Sequence, residues 1–187
     1  MTNQLLGKRV AFMVSNFGVE QSELVSPWQA ISNAGGHPQL LAPGDQPVQA
    51  VSGDMELASI FEPDYTIDVA SPEDFDALVL PGGVANADKL RLIPEAIAFT
   101  AAFGVRGRPI AAICHGPWLL VEADMLQGKT VTSWPSLQTD IRNAGGNWVD
   151  TPVYTDRAGI GSTLVTSRQP KDLAAFNHAM LEVFAEA

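Results

Sequence analysis

The sequence predicts an α/β fold in which a mostly parallel sheet is covered by helices on both faces. Two observations lead to this prediction. Short, almost wholly apolar segments bounded by turn residues alternate along the chain with longer segments of helical period. Strands that are apolar on both faces are typical of parallel sheets buried between two layers of helices. The 187 residues, of which 46% are hydrophobic and 17% charged, are enough for one compact domain, and we expect it to span residues 1–187.

The first half of the chain begins with a buried strand and a helix that two glycines end. Between residues 43 and 70, prolines and glycines separate short alternating pieces, which favours hairpin or edge strands. The apolar segment that follows is stopped by Pro81-Gly82-Gly83. In chain order, the predicted elements are a strand at 8–15, a helix at 23–34, a strand at 37–42, the hairpin or edge strands, and a strand at 76–80.

The second half of the chain continues the alternation of helices and strands. Pro94 stands where proline is favoured, in the first turn of a helix, and an apolar strand follows that helix. The predicted elements are helices at 94–105, 116–126, 136–144 and 170–185, and strands at 109–113, 130–134, 148–155 and 163–167.

The charge balance excludes some classes of partner. The chain has 21 acidic and 11 basic side chains, a formal net charge of −10, which repels phosphate backbones and anionic membrane surfaces. No apolar segment reaches the roughly 18 residues needed to cross a bilayer. The first residues lead into an apolar strand without a cleavable hydrophobic region. We therefore expect a cytoplasmic protein with no membrane partner and no electrostatically driven binding to nucleic acid.

Three segments are candidates for the functional site because each follows a predicted strand. In open α/β sheets, ligands bind beyond the carboxyl ends of the strands, where the strand order switches. The segments are the loop with Glu20, the Pro81-Gly82-Gly83 turn, and the turn Cys114-His115-Gly116. One edge of the sheet could gather all three.

Cys114 is the only cysteine, so no disulfide within the chain and no thiolate metal cluster can form. It follows an apolar strand and precedes a helix, with Ala112 and Gly116 two residues away on either side. This arrangement is typical of a nucleophile elbow, where the sharp turn requires small neighbours. The helix dipole at this position favours the thiolate, and we expect a lowered pKa for Cys114. The alternative is a small buried apolar residue without chemistry.

Four segments of the chain resemble one known family. They are AAICHGP at 111–117, LPGG at 80–83, AGGNWVD at 144–150 and VTSRQPKDL at 165–173. Together they are similar to the PfpI (intracellular protease I) family of the class I glutamine amidotransferase-like superfamily, which is related to the Parkinsonism-associated protein deglycase. The resemblance covers nearly the whole chain. It implies a flavodoxin-like three-layer sandwich, a cysteine nucleophile followed by a histidine, and assembly as a homodimer or hexamer.

The resemblance also implies roles for single residues. Cys114 matches the nucleophile and His115 the histidine that follows it, while Glu20 matches the acid after the first strand that contacts the sulfur. Such an acid helps a thiolate only if it is protonated. The backbone N–H groups of Gly83 and His115 match an oxyanion hole. Asp88 matches the family's glutamate after the Pro-Gly-Gly turn, one residue later and on a shorter side chain, and an exposed surface ion pair is its alternative.

Two tryptophans and one further glycine complete the predicted site. Trp118 lies four residues after the nucleophile and Trp134 ends a strand at the same edge, so both are expected in the pocket with Gly82. Core packing is the alternative for the tryptophans. We expect no metal, because no His, Asp or Glu residues have the spacing of a known zinc motif, and no cofactor, because a glycine-rich nucleotide loop is absent.

These inferences predict a stress-associated cysteine hydrolase that acts on a small electrophile or a peptide. Peptidase, protein deglycase on glyoxal-derived adducts, and glyoxalase activities stay open, since all three use the same thiolate. A hypothesis of another class is a redox sensor or chaperone without enzymatic activity, in which Cys114 is oxidised to a sulfinic acid held by Glu20.

Overall fold

The computed structural model describes residues 3–158 and 161–187. The strands are β1 (Arg9–Met13), β2 (Phe17–Glu20), β3 (His37–Ala42), β4 (Val48–Ser52), β5 (Glu56–Phe61), β6 (Tyr65–Thr66), β7 (Ala77–Leu80), β8 (Ile110–Ile113), β9 (Thr130–Val131), β10 (Asn147–Trp148), β11 (Val153–Asp156) and β12 (Leu164–Ser167). The α-helices are α1 (Gln21–Asn33), α2 (Val84–Leu90), α3 (Pro94–Arg106), α4 (Pro117–Glu122), α5 (Gln138–Asn143) and α6 (Leu173–Ala185). Short 3₁₀ turns lie at Pro72–Asp74, Pro135–Leu137 and Pro170–Asp172.

A seven-stranded sheet forms the centre of the molecule, in the order β11-β12-β8-β7-β1-β3-β6. Neighbouring strands run parallel except β11, which pairs antiparallel with β12 at one edge. The order reverses after β1, because the chain adds β3 on one side and later β7 on the other. The carboxyl ends of β1, β7 and β8 are therefore neighbours at the switch point, where ligands bind in this architecture.

Helices cover both faces of this sheet. Successive side chains of a strand point to opposite faces. On one face, Phe12 of β1 lies in an apolar core with Ile31 of α1 and Phe176 of α6. On the other face, Leu78 of β7 lies in a second core with Phe103 of α3, and α4 and α5 also contribute to it. This arrangement confirms the predicted α/β sandwich of flavodoxin-like type, with a mostly parallel sheet between two helix layers.

Two elements near the candidate site differ from the sequence-based prediction. The strand β2 and the helix α2 were not predicted, because four residues are too few to show a period of two and seven too few to show a helical one. β2 pairs with β4 in a separate three-stranded sheet. Hairpin or edge strands are predicted between residues 43 and 70, and the structure has a hairpin there, since β4 and β5 pair antiparallel in that sheet.

One predicted helix is shorter than expected. The sequence predicts a single helix at 116–126, whereas α4 ends at Glu122. The backbone of Asp124 turns into the left-handed region, with a φ of 54°, so the helical hydrogen bonds stop there. The shorter α4 still presents its first turn to Cys114.

Candidate functional site

The candidate site lies where β1, β7 and β8 end. Backbone hydrogen bonds join the segments that follow these strands. The N–H of Glu20 donates to the carbonyl of Gly82 at 3.3 Å, and the N–H of Cys114 donates to the carbonyl of Ser167, at the end of β12, at 3.0 Å. Gly82 also lies against Cys114, since a Cβ built on Gly82 would be 2.6 Å from that of the cysteine, so the three segments expected at one edge of the sheet meet there.

The turn at Cys114 is tight and requires glycine at two positions nearby. Cys114 has a φ of 59°, in the left-handed region that non-glycine residues rarely adopt. A Cβ added to Gly116 would lie 2.3 Å from the carbonyl oxygen of Leu80. A Cβ added to Gly82 would lie 2.6 Å from the Cβ of Cys114. Both glycines let the backbone pass close to the cysteine.

Glu23, and not Glu20, is the acid that lies against the sulfur. Glu23 is fully buried and hydrogen-bonds the Cys114 side chain. Glu20 instead accepts the hydroxyl of Ser22 at 3.3 Å and the backbone N–H of Asp54 at 3.4 Å. The expectation that Glu20 contacts the sulfur is therefore wrong.

The reason for this correction is the position at which α1 begins. Glu20 is the last residue of β2, while Glu23 lies in the first turn of α1, which starts at Gln21. Glu23, Pro27 and Ile31 are all buried and follow one another at intervals of four, so they share the inward face of the helix. That spacing is visible in the sequence and could have identified Glu23.

Burial keeps the carboxyl of Glu23 protonated. The pKa of Glu23 is raised to about 8, chiefly by desolvation and also by the charge of Glu20. A hydrogen bond from the N–H of Gly82 to Oε2, at 2.9 Å, acts in the opposite direction and lowers the pKa. Oε1 has no hydrogen-bond partner among residues 3–158 and 161–187. At pH 7 Glu23 is thus a hydrogen-bond donor.

The groups around the sulfur of Cys114 shift the pKa of its thiol in opposite directions. Burial raises the pKa of the Cys114 thiol above its ordinary value, and negative charge on Glu23 and Asp54 raises it too. The backbone N–H groups of Gly83 and His115 hydrogen-bond the sulfur and lower the pKa. This differs from the expected net lowering, because a dipole at the start of the six-residue α4 does not offset desolvation. A protonated Glu23 removes one of the repelling charges.

The His115 side chain is neutral and lies beside the sulfur. Burial lowers the pKa of His115, and the charge of Asp54 opposes that shift. Nδ1 lies 3.2 Å from the Sγ of Cys114, and Nε2 lies 3.5 Å from the hydroxyl of Ser136. A neutral imidazole with Nδ1 unprotonated can accept the proton of the thiol.

The two predicted tryptophans both pack against His115. The ring of Trp118 is tilted by 52° at a centroid distance of 5.1 Å, and the ring of Trp134 is stacked at 28° and 5.9 Å. The indole N–H of Trp118 donates to Asp140 at 2.7 Å, which fixes that ring. Trp134 is 38% exposed, so it forms part of the wall between His115 and solvent.

Gly83 is held in a conformation that only glycine tolerates. Its φ is 89°, and an added Cβ would lie 2.1 Å from the carbonyl oxygen of Gly18. The next N–H along the chain, that of Val84, donates to the carboxylate of Asp54 at 2.8 Å. Asp54 lies on the turn between β4 and β5, and no pattern in the sequence pointed to it.

Asp88 lies apart from the nucleophile within this chain. It is exposed on α2. Among the residues that the structure describes, no carboxylate forms a hydrogen bond with the ring of His115. Its neighbour Lys89 instead lies over the ring of Phe17, 5.8 Å from the centroid. A direct contact between Asp88 and His115 would therefore require a second subunit.

Residues 3–158 and 161–187 contain no group of three or more His, Cys, Asp or Glu side chains that could hold a metal ion. The same residues include no helix that is both long enough and apolar enough to cross a bilayer.

Comparisons with known proteins agree with this fold. The model of the family described as DJ-1/PfpI matches residues 8–183. Protein/nucleic acid deglycase 2 of Escherichia coli K12 is 37% identical over 178 residues, which cover 95% of this chain and 98% of that protein. A deglycase of Pyrococcus horikoshii is 36% identical over 168 residues, covering 90% and 94%. A crystal structure from Anabaena variabilis, with DJ-1/ThiJ/PfpI-like and ferritin-like domains, has a TM-score of 0.83 at 31% identity; the match covers 94% of this chain but 47% of that protein.

Proposed function

We propose, because the chain belongs to the DJ-1/PfpI family, that it is a cysteine hydrolase that acts as a peptidase or as a protein deglycase on glyoxal-derived adducts. One observation carries the proposal. The sulfur of Cys114 lies 3.2 Å from Nδ1 of His115 and also accepts the backbone N–H groups of Gly83 and His115. A nucleophile, a base and two fixed donors are thus within reach of one reacting atom.

The first step is activation of the thiol. His115 is neutral because burial lowers its pKa, so Nδ1 accepts the proton of Cys114. The protonated carboxyl of Glu23 donates to the sulfur and stabilises the negative charge without adding its own. This route gives a thiolate at the moment of attack, although burial raises the resting pKa of the thiol.

The second step is addition to a carbonyl group. The Cys114 sulfur forms a bond to the carbonyl carbon, and the electron pair of the C=O bond moves to the oxygen. The N–H groups of Gly83 and His115 stabilise that oxygen as the sulfur charge is lost. In a peptide, where the attacked carbon carries the nitrogen, the oxygen then reforms the C=O bond, the C–N bond breaks and His115 returns its proton to the leaving amine. Water then hydrolyses the acyl-cysteine and regenerates the thiol.

Deglycase activity is supported by the names of two relatives at 36–37% identity. Peptidase activity is supported by the resemblance to intracellular protease I. The experiment that separates them compares free amine released from methylglyoxal-treated peptide with cleavage of casein. Cys114→Ala must lose whichever activity the protein has. His178→Asn, on the exposed face of α6, is the matched control and must keep it. Casein cleavage without amine release would leave only the peptidase.

The second candidate function is a redox sensor or chaperone. It is favoured by the protonated Glu23, since a carboxylic acid beside the sulfur can donate to a sulfinate, and by the absence of a second cysteine in the sequence to form a disulfide. Turnover in neither assay, together with two oxygen atoms gained at Cys114 under mild peroxide, would support the sensor over the hydrolase.

Assembly is part of the proposal. We infer that the protein forms at least a homodimer, in which Asp88 of one chain approaches His115 of another and orients the imidazole as a third triad member does. The exposure of Asp88 on α2 and the lack of a carboxylate on His115 among the described residues of one chain support this arrangement. A dimer or a hexamer built from dimers would satisfy it.

A further inference from the structure

Asn86 is a completely buried amide in α2, directly behind the Pro81-Gly82-Gly83 turn. Both the oxygen and the nitrogen of its side-chain amide form hydrogen bonds. Oδ1 accepts the backbone N–H of Ser15, just beyond the end of β1, at 2.7 Å. Nδ2 donates to the carbonyls of Pro81 at 3.1 Å and of Gly82 at 3.0 Å. All three partners are backbone groups, so the orientation of the amide is determined by them.

The two carbonyls that Asn86 holds belong to two consecutive peptide units. No peptide bond in the described chain is cis. In a trans peptide the C=O and the N–H point in opposite directions across one rigid plane. Fixing the carbonyl of Gly82 from one side therefore directs the N–H of Gly83 to the other side, where it meets the sulfur of Cys114.

The same argument applies to the preceding peptide. Its carbonyl is that of Pro81, and its N–H, that of Gly82, donates to Oε2 of Glu23 at 2.9 Å. One amide thus orients two donors: one meets the nucleophile and the other meets the acid beside it. The backbone N–H of Glu20 gives the Gly82 carbonyl a second donor at 3.3 Å, which is the longer of the two bonds.

We propose that Asn86 is a positioning residue that aims the backbone N–H of Gly83 at the reacting sulfur and that of Gly82 at Glu23. The assignment extends the proposed cysteine chemistry to the residue that sets the geometry of its donors. It concerns the orientation of the peptide planes, so it applies to the free enzyme as well as to turnover.

The first test measures the rate at which iodoacetamide alkylates Cys114, which is the only cysteine, across a range of pH without substrate. Asn86→Ala frees both carbonyls. We expect at least about fivefold slower alkylation at pH 7 than in the control, since a hydrogen bond to a charged group is among the stronger ones. The control is Asn177→Ala, which removes another amide donor, to Ser26, between α6 and α1. A difference smaller than fivefold would overturn the proposal.

A second variant gives a signature that a merely structural residue would not produce. Asn86→Asp keeps the shape, and its protonated carboxyl can still donate to one carbonyl, whereas its ionised form repels both. The alkylation rate relative to wild type should fall as pH rises through the titration of that carboxyl. If the ratio of the two alkylation rates does not change between about pH 5 and about pH 9, the assignment is contradicted.

Turnover supplies an independent readout. If the protein is a hydrolase, Asn86→Ala should lower kcat with little change in KM, because the Gly83 donor acts on charge that develops in the reaction. A raised KM with unchanged kcat would count against the role. If no substrate turns over, the proposed function fails while the alkylation result still decides the role of Asn86.

If the variants do not fold, the wild-type protein remains testable by NMR. The side-chain amide protons of Asn86 should exchange slowly with solvent, and their resonance should shift when Cys114 is alkylated. The side chain of Asn177 serves as the internal reference. Rapid exchange, or a shift no larger than that of Asn177, would overturn the proposal.

Discussion

The carboxyl of Glu23 and the thiol of Cys114 share a hydrogen bond in a buried space at the carboxyl edge of the sheet. Burial raises the pKa of both groups, and a charge on either disfavours a charge on the other. The pair therefore holds at least one proton near neutral pH, and the position of that proton decides whether the sulfur can react. Protonated Glu23 stabilises negative charge on the sulfur, whereas ionised Glu23 repels it.

Substitution of Glu23 tests this relationship. Glu23→Gln fixes a neutral donor, so alkylation of Cys114 at pH 7 should stay within about threefold of wild type, whereas Glu23→Ala should slow it by about tenfold or more. Above the Glu23 pKa of about 8, the Gln variant should exceed wild type, whose acid is then ionised. Mass spectrometry of alkylated protein gives the rates. Glu20→Gln is the control, and a large gain for Glu23→Gln already at pH 7 would show an ionised Glu23.

The stability of the fold should depend on pH through Glu23. The folded protein holds a proton up to a pKa of about 8, whereas the unfolded chain releases it near the ordinary glutamate pKa of 4.5. Glu23 therefore favours folding fully below pH 4.5, and this contribution is lost as pH rises towards 8, by up to about 1.4 kcal/mol per pH unit and on the order of 5 kcal/mol in total. Urea unfolding at several pH values should show this slope. The slope should flatten in Glu23→Gln and persist in Glu20→Gln.

Gly83→Ala should damage both the fold and the activity. The added Cβ would meet the carbonyl of Gly18 at 2.1 Å, and the φ of 89° is unfavourable for alanine. Because the N–H of Gly83 would have to move, we expect kcat to fall by about 10²-fold or more. Gly128→Ala is the control: its φ is 73° but no atom lies within 4 Å of the added Cβ. Equal kinetic losses in the two variants would indicate backbone strain alone.

Trp134 should control the protonation of His115. Its ring stacks on the imidazole and keeps water from one side, and burial is the largest cause that lowers the pKa of His115. Trp134→Ala should therefore raise that pKa towards its ordinary value, and Trp134→Phe should change it less. A histidine titration by NMR measures the shift. No shift in the Ala variant would mean that Trp118 and the surrounding chain provide the burial.

Mixing two inactive variants tests the role proposed for Asp88. If the acid of one chain serves the nucleophile of another, Asp88→Ala and Cys114→Ala together should regain part of the activity, since some interfaces then pair an intact acid with an intact cysteine. Subunit exchange is verified with labelled chains. Activity that stays absent despite exchange would place Asp88 outside the site, as an ordinary surface residue.

The fold was predictable from the sequence to the extent that periodicity and turn residues carry it. The strand at 37–42 was found with the bounds that the structure shows, because glycines precede it and a proline-glycine turn follows. The nucleophile turn was recognisable because steric demands restrict its neighbours to small residues. Contacts between distant segments were not predictable in this way: Asp54 approaches Val84 only because a hairpin from a separate sheet lies over the start of α2.

The error at Glu20 has a physical explanation of the same kind. Both acids follow the first strand, and proximity in sequence to β1 does not distinguish them. What distinguishes them is the helical phase, which turns Glu23 inwards and leaves Glu20 at the end of β2. The pKa of the Cys114 thiol also differs from the sequence-based expectation, because the desolvation that raises it depends on how deeply the turn is buried.

The left-handed backbone of Cys114 has a consequence for the stability of the fold. A non-glycine residue in that conformation costs about 1–2 kcal/mol, and the neighbouring buried acid adds a further cost as pH rises. Replacement of Cys114 by glycine would relieve the strain, so the variant without a nucleophile should be the more stable protein. The fold therefore carries its nucleophile at a cost in stability.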